Sequence, residues 1–214
     1  VSSAPPRSRK GERTRGRLLA AAKEVFEQDG FVDARVSDIS ERAGLSHGSF
    51  YHYFDSKEQV FLELAEAVDE RLSAPLSQII RAPGPGGSPV ERLTEALRQH
   101  FESYRTEARM MGVIEQAARY DEDVRRMRMQ RHQRYAETIT DSIRKLQRRN
   151  LADPTLDPEL AAAALGAVTY RFTELWLVQG AVDCTVDQAT EHITKFLANA
   201  LQMNSETSNS RGKR

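Results

Sequence analysis

The residues whose types and spacing point to chemistry lie in one string, SDISERAGLSHGSFYHYF, residues 37–54. Four hydrogen-bonding side chains, His47, Ser49, Tyr51 and His52, crowd together there. Between them Gly48 carries no side chain and lets the helix backbone approach a partner closely. Such a set on an exposed helix face suits the edges of base pairs and the phosphates beside them. Other chemistry fits poorly. His47 and His52 stand five apart, about 140° around a helix, and so make no i,i+4 metal pair. Cys184 has His192 downstream, but no oriented third group to build a nucleophile. No phosphate-binding loop, no GxGxxG and no HExxH occurs. No catalytic residue, cofactor or metal is therefore expected.

A reading face needs elements to hold it. The string divides into a short helix over 37–43, a tight turn at Gly44-Leu45-Ser46 and a second short helix over 47–53. Gly44 can adopt the left-handed backbone that such a turn requires. Ile39, Ala43, Leu45, Phe50 and Phe54 are the apolar positions that lock the two helices together. This is helix-turn-helix geometry, with the second helix directed at the DNA major groove. Upstream, Leu18, Leu19, Ala22, Val25 and Phe26 form the stripe of a helix over 13–29, stopped by Gly30. Downstream, Ser56-Lys57-Glu58-Gln59 reads as a capping box opening a long helix.

The rest of the chain is helical by the same criteria. RAPGPGGSP, residues 81–89, is a strong break. Ser88-Pro89-Val90-Glu91 opens the next helix, and Thr106 caps a short one carrying Met110, Met111 and Ile114. Asp121 begins a long basic helix to about Arg149, Asp157-Pro158 begins another, and Thr185 to Gln188 caps the last. No alternating strand pattern occurs. The fold class is all-α, with about nine helices. Residues 13–55 are expected to form the DNA-binding domain and residues 56–203 a helical domain for ligand binding and dimerisation. Residues 1–12 and 204–214 are expected to be a disordered basic leader and tail.

Net charge is zero, from 31 basic and 31 acidic residues, but the charge is segregated. Arg7, Arg9, Lys10, Arg13, Arg15 and Arg17 face a single acid, Glu12, within residues 1–20. Such an arm can follow a phosphate backbone. Mean hydropathy is −0.59, and no apolar run reaches the ~18 residues of a membrane span. The leader lacks the apolar stretch of a secretory signal. The single cysteine rules out an intramolecular disulfide. A reducing cytoplasm is the expected setting.

The string AGLSHGSFYHYFDSKEQVF closely resembles the DNA-binding signature of the tetracycline-repressor (TetR) family, and the likeness extends over residues 13–68. It implies that His47, Gly48, Ser49, Tyr51 and His52 face DNA, that Tyr51 bonds a phosphate, and that Lys57 touches another. Ser46, Arg35 and Ser37 complete the candidate DNA-binding set. Two positions depart from the pattern. Position 47, often lysine in relatives, is histidine, whose charge changes near neutral pH. Position 35, often a Ser or Thr cap, is arginine, so that either Arg35 reaches a phosphate and Ser37 caps, or the second helix starts less firmly. The resemblance also implies a homodimer on a palindromic operator and a small-molecule effector, with no membrane partner.

In the second domain, Leu160 to Val168 is small and apolar on every side, and must be covered all round. The expected interface is Ala164, Ala167 and Val168 with Ile193, Phe196 and Ala200 of the last helix, in a four-helix bundle between two chains. Candidate pocket residues are Phe101, Tyr104, Met110, Met111, Met127, Tyr135, Phe172 and Trp176, although a Met and aromatic set at helical spacing equally builds plain core. Two rivals stay open: a ligand carrier or enzyme with a vestigial DNA-binding head, and an activator without an effector.

Overall fold

The computed structural model describes residues 8–81 and 87–203. Most of the expected leader, most of the Pro-Gly break and the expected tail lie outside the described residues. The elements are α1 (Arg9–Asp33), α2 (Val36–Arg42), α3 (His47–Phe50), α4 (Lys57–Arg81), α5 (Pro89–Ala117), α6 (Glu122–Arg148), α7 (Pro158–Thr173), a π-helical turn (Glu174–Val178) and α8 (Val186–Ala200). Among the described residues there are no strands, and the fold is all-α.

Three sequence expectations need correction. Residues 8–12 are not leader: Ser8 caps α1 by accepting the Gly11 N–H at 3.1 Å, and Arg9 is already helical. Thr106 caps nothing. It lies inside a continuous α5, and its hydroxyl donates to the Ser103 carbonyl at 2.7 Å, so that the described residues hold eight α-helices and one π-helical turn. The domain boundary at 55/56 is also displaced. The chain divides into one compact unit of residues up to Glu70 with Glu107–Met129, and a second of Arg71–Thr106 with the residues from Gln130 onward.

The first unit is built on aromatic packing. Phe26, Phe31 and Phe61 form a chain of ring contacts, Phe26 to Phe61 at 5.0 Å and Phe31 to Phe61 at 4.6 Å. Val25, Ile39, Phe50, Phe54 and Val60 are buried with them, as are Met110, Met111 and Ile114. Lys23 pairs with Glu27 at 3.4 Å and with the buried Glu107 at 3.0 Å, which ties the 107–129 segment to α1.

The end of α1 is closed by a residue from outside it. Gly30, at φ 77, lets the chain leave the helix. This exposes carbonyls that the helix no longer satisfies. The Lys57 Nζ at the start of α4 donates to those of Phe31, Val32 and Ala34, each at 2.9 Å, and sits over the Phe31 ring at 5.2 Å. An ammonium has three protons, and these three bonds take them all. Lys57→Met keeps the stem and leaves the carbonyls unpaired. The expected loss is about 1–2 kcal/mol, read as a lower urea midpoint. An unchanged midpoint would refute this role.

The second unit has its own core: Leu97, Phe101, Ile143, Leu165, Trp176, Ile193 and Leu197, with Val168 and Phe172 packed against it. Asp157 caps α7 through the Glu159 and Leu160 N–H groups, both at 2.9 Å, and Thr185 closes a capping box with Gln188 at α8. His100 is buried within α5, and burial, aided by the charge of Arg131, pushes its imidazole down to about 4. The unfolded chain takes up that proton near its ordinary value of about 6.5. Between those values the unfolded state binds more protons, so stability is full above pH ~6.5 and falls as pH drops toward ~4, by up to about 3 kcal/mol. His100→Phe should flatten that part of the stability–pH curve in urea melts, and equal slopes in variant and parent would refute the assignment.

Candidate nucleic-acid interface

The reading helix α3 has only four residues, one turn, shorter than the 47–53 the sequence suggests. Three things outside it fix its place. Ser46 caps its start, accepting the Ser49 N–H at 3.3 Å, with the two hydroxyls 2.7 Å apart. Phe50 and Phe54 are buried beneath it, their rings 5.7 Å apart. The turn before it is locked by Gly44 at φ 64, with the Gly44 N–H donating to the Glu41 carbonyl and the Leu45 N–H to that of Ser40, both at 2.9 Å.

The opposite face is open. His47, Gly48 and His52 are exposed, and Tyr51 is 50% exposed. The His47 and Tyr51 rings stand edge to face at 5.4 Å, and Tyr51 meets Phe50 at the same distance. Nothing lies within 4 Å of where a Gly48 side chain would begin, so close approach of another molecule is unobstructed. Ser49 is half-buried and engaged with Ser46. His47, Gly48, Tyr51 and His52 are thus brought onto one accessible surface, with Ser46 and Ser49 acting also as its local brace.

The arginines of α1 divide into two sets. Arg15 makes a paired contact with the Glu63 carboxylate and lies over the Phe54 ring at 4.7 Å. Arg17 donates to the Ala43 carbonyl, at the end of α2. A side chain on Gly44 would begin 3.1 Å from that guanidinium, a second reason for glycine there. Arg9, Lys10 and Arg13 are exposed. The sequence reading missed the bracing work of Arg15 and Arg17, because Glu63 and Ala43 are distant in the chain and no local spacing announces them.

Other expected contacts change role. Lys57, expected on a phosphate, has its protons turned to the α1 carbonyls and acts as their cap. Arg35 is exposed and stands at the N-cap position of α2 with no side-chain capping bond. Ser37 does not cap either: it lies inside α2, and its hydroxyl donates to Asp38 Oδ1 at 3.0 Å. Of the two alternatives the sequence left, the uncapped start of α2 is the one found.

The remaining sets also separate. Ala164, Ala167 and Ala200 are exposed and Phe196 is 55% exposed, alongside Leu160 at 73%. Ile193, expected at the interface, is buried in the second unit's own core, and Val168 is half-buried against that core. Met110 and Met111 are fully buried core of the first unit, and Met127 is half-buried in that unit. Phe101, Tyr104, Tyr135, Phe172 and Trp176 do fall in one unit. Among the described residues, no helix is long and apolar enough to cross a membrane.

Comparison with known proteins bears on this geometry. Residues 18–64 match the model of the tetR family of bacterial regulatory proteins. An uncharacterized HTH-type transcriptional regulator, YdgC of Bacillus subtilis, is 53% identical over 55 residues, 26% of this chain and 28% of that protein. The HTH-type transcriptional regulator UidR of Escherichia coli is 26% identical over 158 residues, 73% of this chain and 78% of that protein. Among solved structures, the fatty acid degradation regulator FadR of Bacillus halodurans superposes with a TM-score of 0.72 at 18% identity, over 89% of this chain and 97% of that one. That last likeness shows a shared fold. The helix-turn-helix lies within the matched residues, so that residues 18–64 carry the DNA-binding domain of the tetR family of bacterial regulatory proteins.

Proposed function

We propose that this protein is a sequence-specific DNA-binding transcriptional repressor, acting as a homodimer and released from its operator by a small, largely apolar effector. The observation that carries this reading is the exposed His47, Gly48, Tyr51 and His52 on a helix whose other face is pinned by Phe50 and Phe54. His52 and His47 reach base edges, and Tyr51 donates to a phosphate. Arg9, Lys10 and Arg13 extend the contact along the backbone.

One turn of helix covers too few base pairs for specific binding alone, and a symmetric pair covers a palindrome. The two reading helices then stand about one DNA turn apart, ~34 Å, or somewhat more. The exposed apolar row of Leu160, Ala164, Ala167, Phe196 and Ala200 is the natural pairing surface, because such a row left in water favours association. An effector in the second unit favours a spacing that no longer fits, with a coupling of ~1–3 kcal/mol.

The direct test is binding to the DNA upstream of the protein's own gene, against a scrambled duplex and with salt varied. His52→Ala should change the preference among base substitutions in the operator, by ~1–3 kcal/mol at the affected position. Tyr51→Phe should weaken every sequence alike. If His52→Ala lowered all affinities equally, its base-reading role would be lost. Ala164→Glu places an unpaired charge in the proposed pairing surface. Sedimentation should then show monomers, with operator affinity reduced. A variant that stays dimeric would move the interface elsewhere.

A further inference from the structure

The second unit holds a polar group that packing alone does not account for. His100 lies within α5 with 7% of its surface exposed, and its Nδ1 has no hydrogen-bond partner among the described residues. A buried nitrogen left unpaired forfeits the hydrogen bond it makes to water in the unfolded chain, and so destabilises the fold. A phenylalanine there would fill similar space without that penalty.

Aromatic rings flank His100 on its own helix, Phe101 at 5.7 Å among them. Tyr104 follows one turn later on α5, its ring 5.9 Å from that of His100. Arg131 and Tyr135 are four apart on α6 and so project from one face of it, and the Arg131 charge bears on both His100 and Tyr135. Burial keeps the imidazole unprotonated and pushes the Tyr135 phenol up to about 12, so both rings are uncharged hydrogen-bonding groups in a positive potential. Two donors in such a potential favour an anionic acceptor. Beside them, Phe101 meets Trp176 at 5.6 Å and Phe172 at 6.0 Å. Trp176 is carried by the π-helical turn, an irregularity frequent at functional sites.

We infer that the second unit takes a carboxylic acid whose apolar body lies against Phe101, Phe172 and Trp176, and whose carboxylate accepts from His100 and Tyr135 beside Arg131. This assignment rests on the effector reading above and gives that effector its chemical class. An apolar body alone would leave the His100 nitrogen unpaired in both states. A carboxylate satisfies it only when bound, and that difference is what a ligand switch requires.

Trp176 is the sole tryptophan, so its emission reports on this site directly. The full-length protein is titrated at neutral pH with phenylbutyrate and with octanoate, and in parallel with the primary amide of each. The acids should bind at least about tenfold more tightly than the amides, with a change in Trp176 emission. Tyr135→Phe, which removes one oxygen, and Arg131→Met should each shrink that ratio to less than about threefold, by weakening the acids more than the amides. Amides binding as tightly as acids, or a ratio that neither variant moves, overturns the carboxylate assignment while an apolar pocket stands. No emission change and no calorimetric heat with either acid overturns it as well. Operator release is followed in the same titrations. Selective acid binding without release supports the carboxylate site and overturns its role as the effector site.

Discussion

A helix of four residues cannot hold itself up. It closes a single turn, and isolated helices much shorter than ~12 residues are marginal in water. Everything about the exposed face of α3 depends on this. Because α3 contributes almost nothing to its own stability, its position is dictated by what grips it from outside: the buried Phe50 and Phe54, the Ser46 cap, and the Gly44 turn. That turn is held in place by Arg17 from α1, and Phe54 lies under the Arg15 guanidinium, itself anchored on Glu63 of α4. A small displacement of α1 or α4 therefore moves the reading face bodily, with no change in α3 itself.

The Lys57 cap belongs to the same economy of grip. It joins the first residue of α4 to the loose end of α1, across three carbonyls that a helix leaves open when its chain turns away. In the second unit Asp157 and Thr185 each cap a helix start from the adjoining residue, as Ser8 and Ser46 do in the first. The second unit's irregularity is placed elsewhere, in the π-helical turn, where the Gln179 N–H reaches back five residues to the Glu174 carbonyl at 2.9 Å. That turn presents Trp176 to Phe101 and Phe172.

The sequence reveals what is local and hides what is long-range. The stripe of α1, the Gly44 turn, the Phe50 and Phe54 anchors and the capping box at Thr185 are all written within a few residues, and the structure has them. Thr106 misleads because threonine inside a helix can bond its own backbone and imitate a cap. Met110 and Met111 look like pocket residues by composition, and only the folding back of residues 107–129 onto α1 makes them core of the DNA-binding unit. Lys57 carries a positive charge beside a DNA-reading motif, and nothing in its neighbours says that three carbonyls about 25 residues upstream claim it first.

The interleaving of the two units has an evolutionary consequence. Residues 107–129 belong with the first unit although 71–106 belong with the second, so the chain passes between units three times. A gene fusion that exchanged the head as one continuous stretch would strand Met110, Met111 and Ile114 with the wrong partner and leave Lys23 without Glu107. A transplanted head must therefore carry both stretches, since a head on this plan does not travel as one continuous cassette.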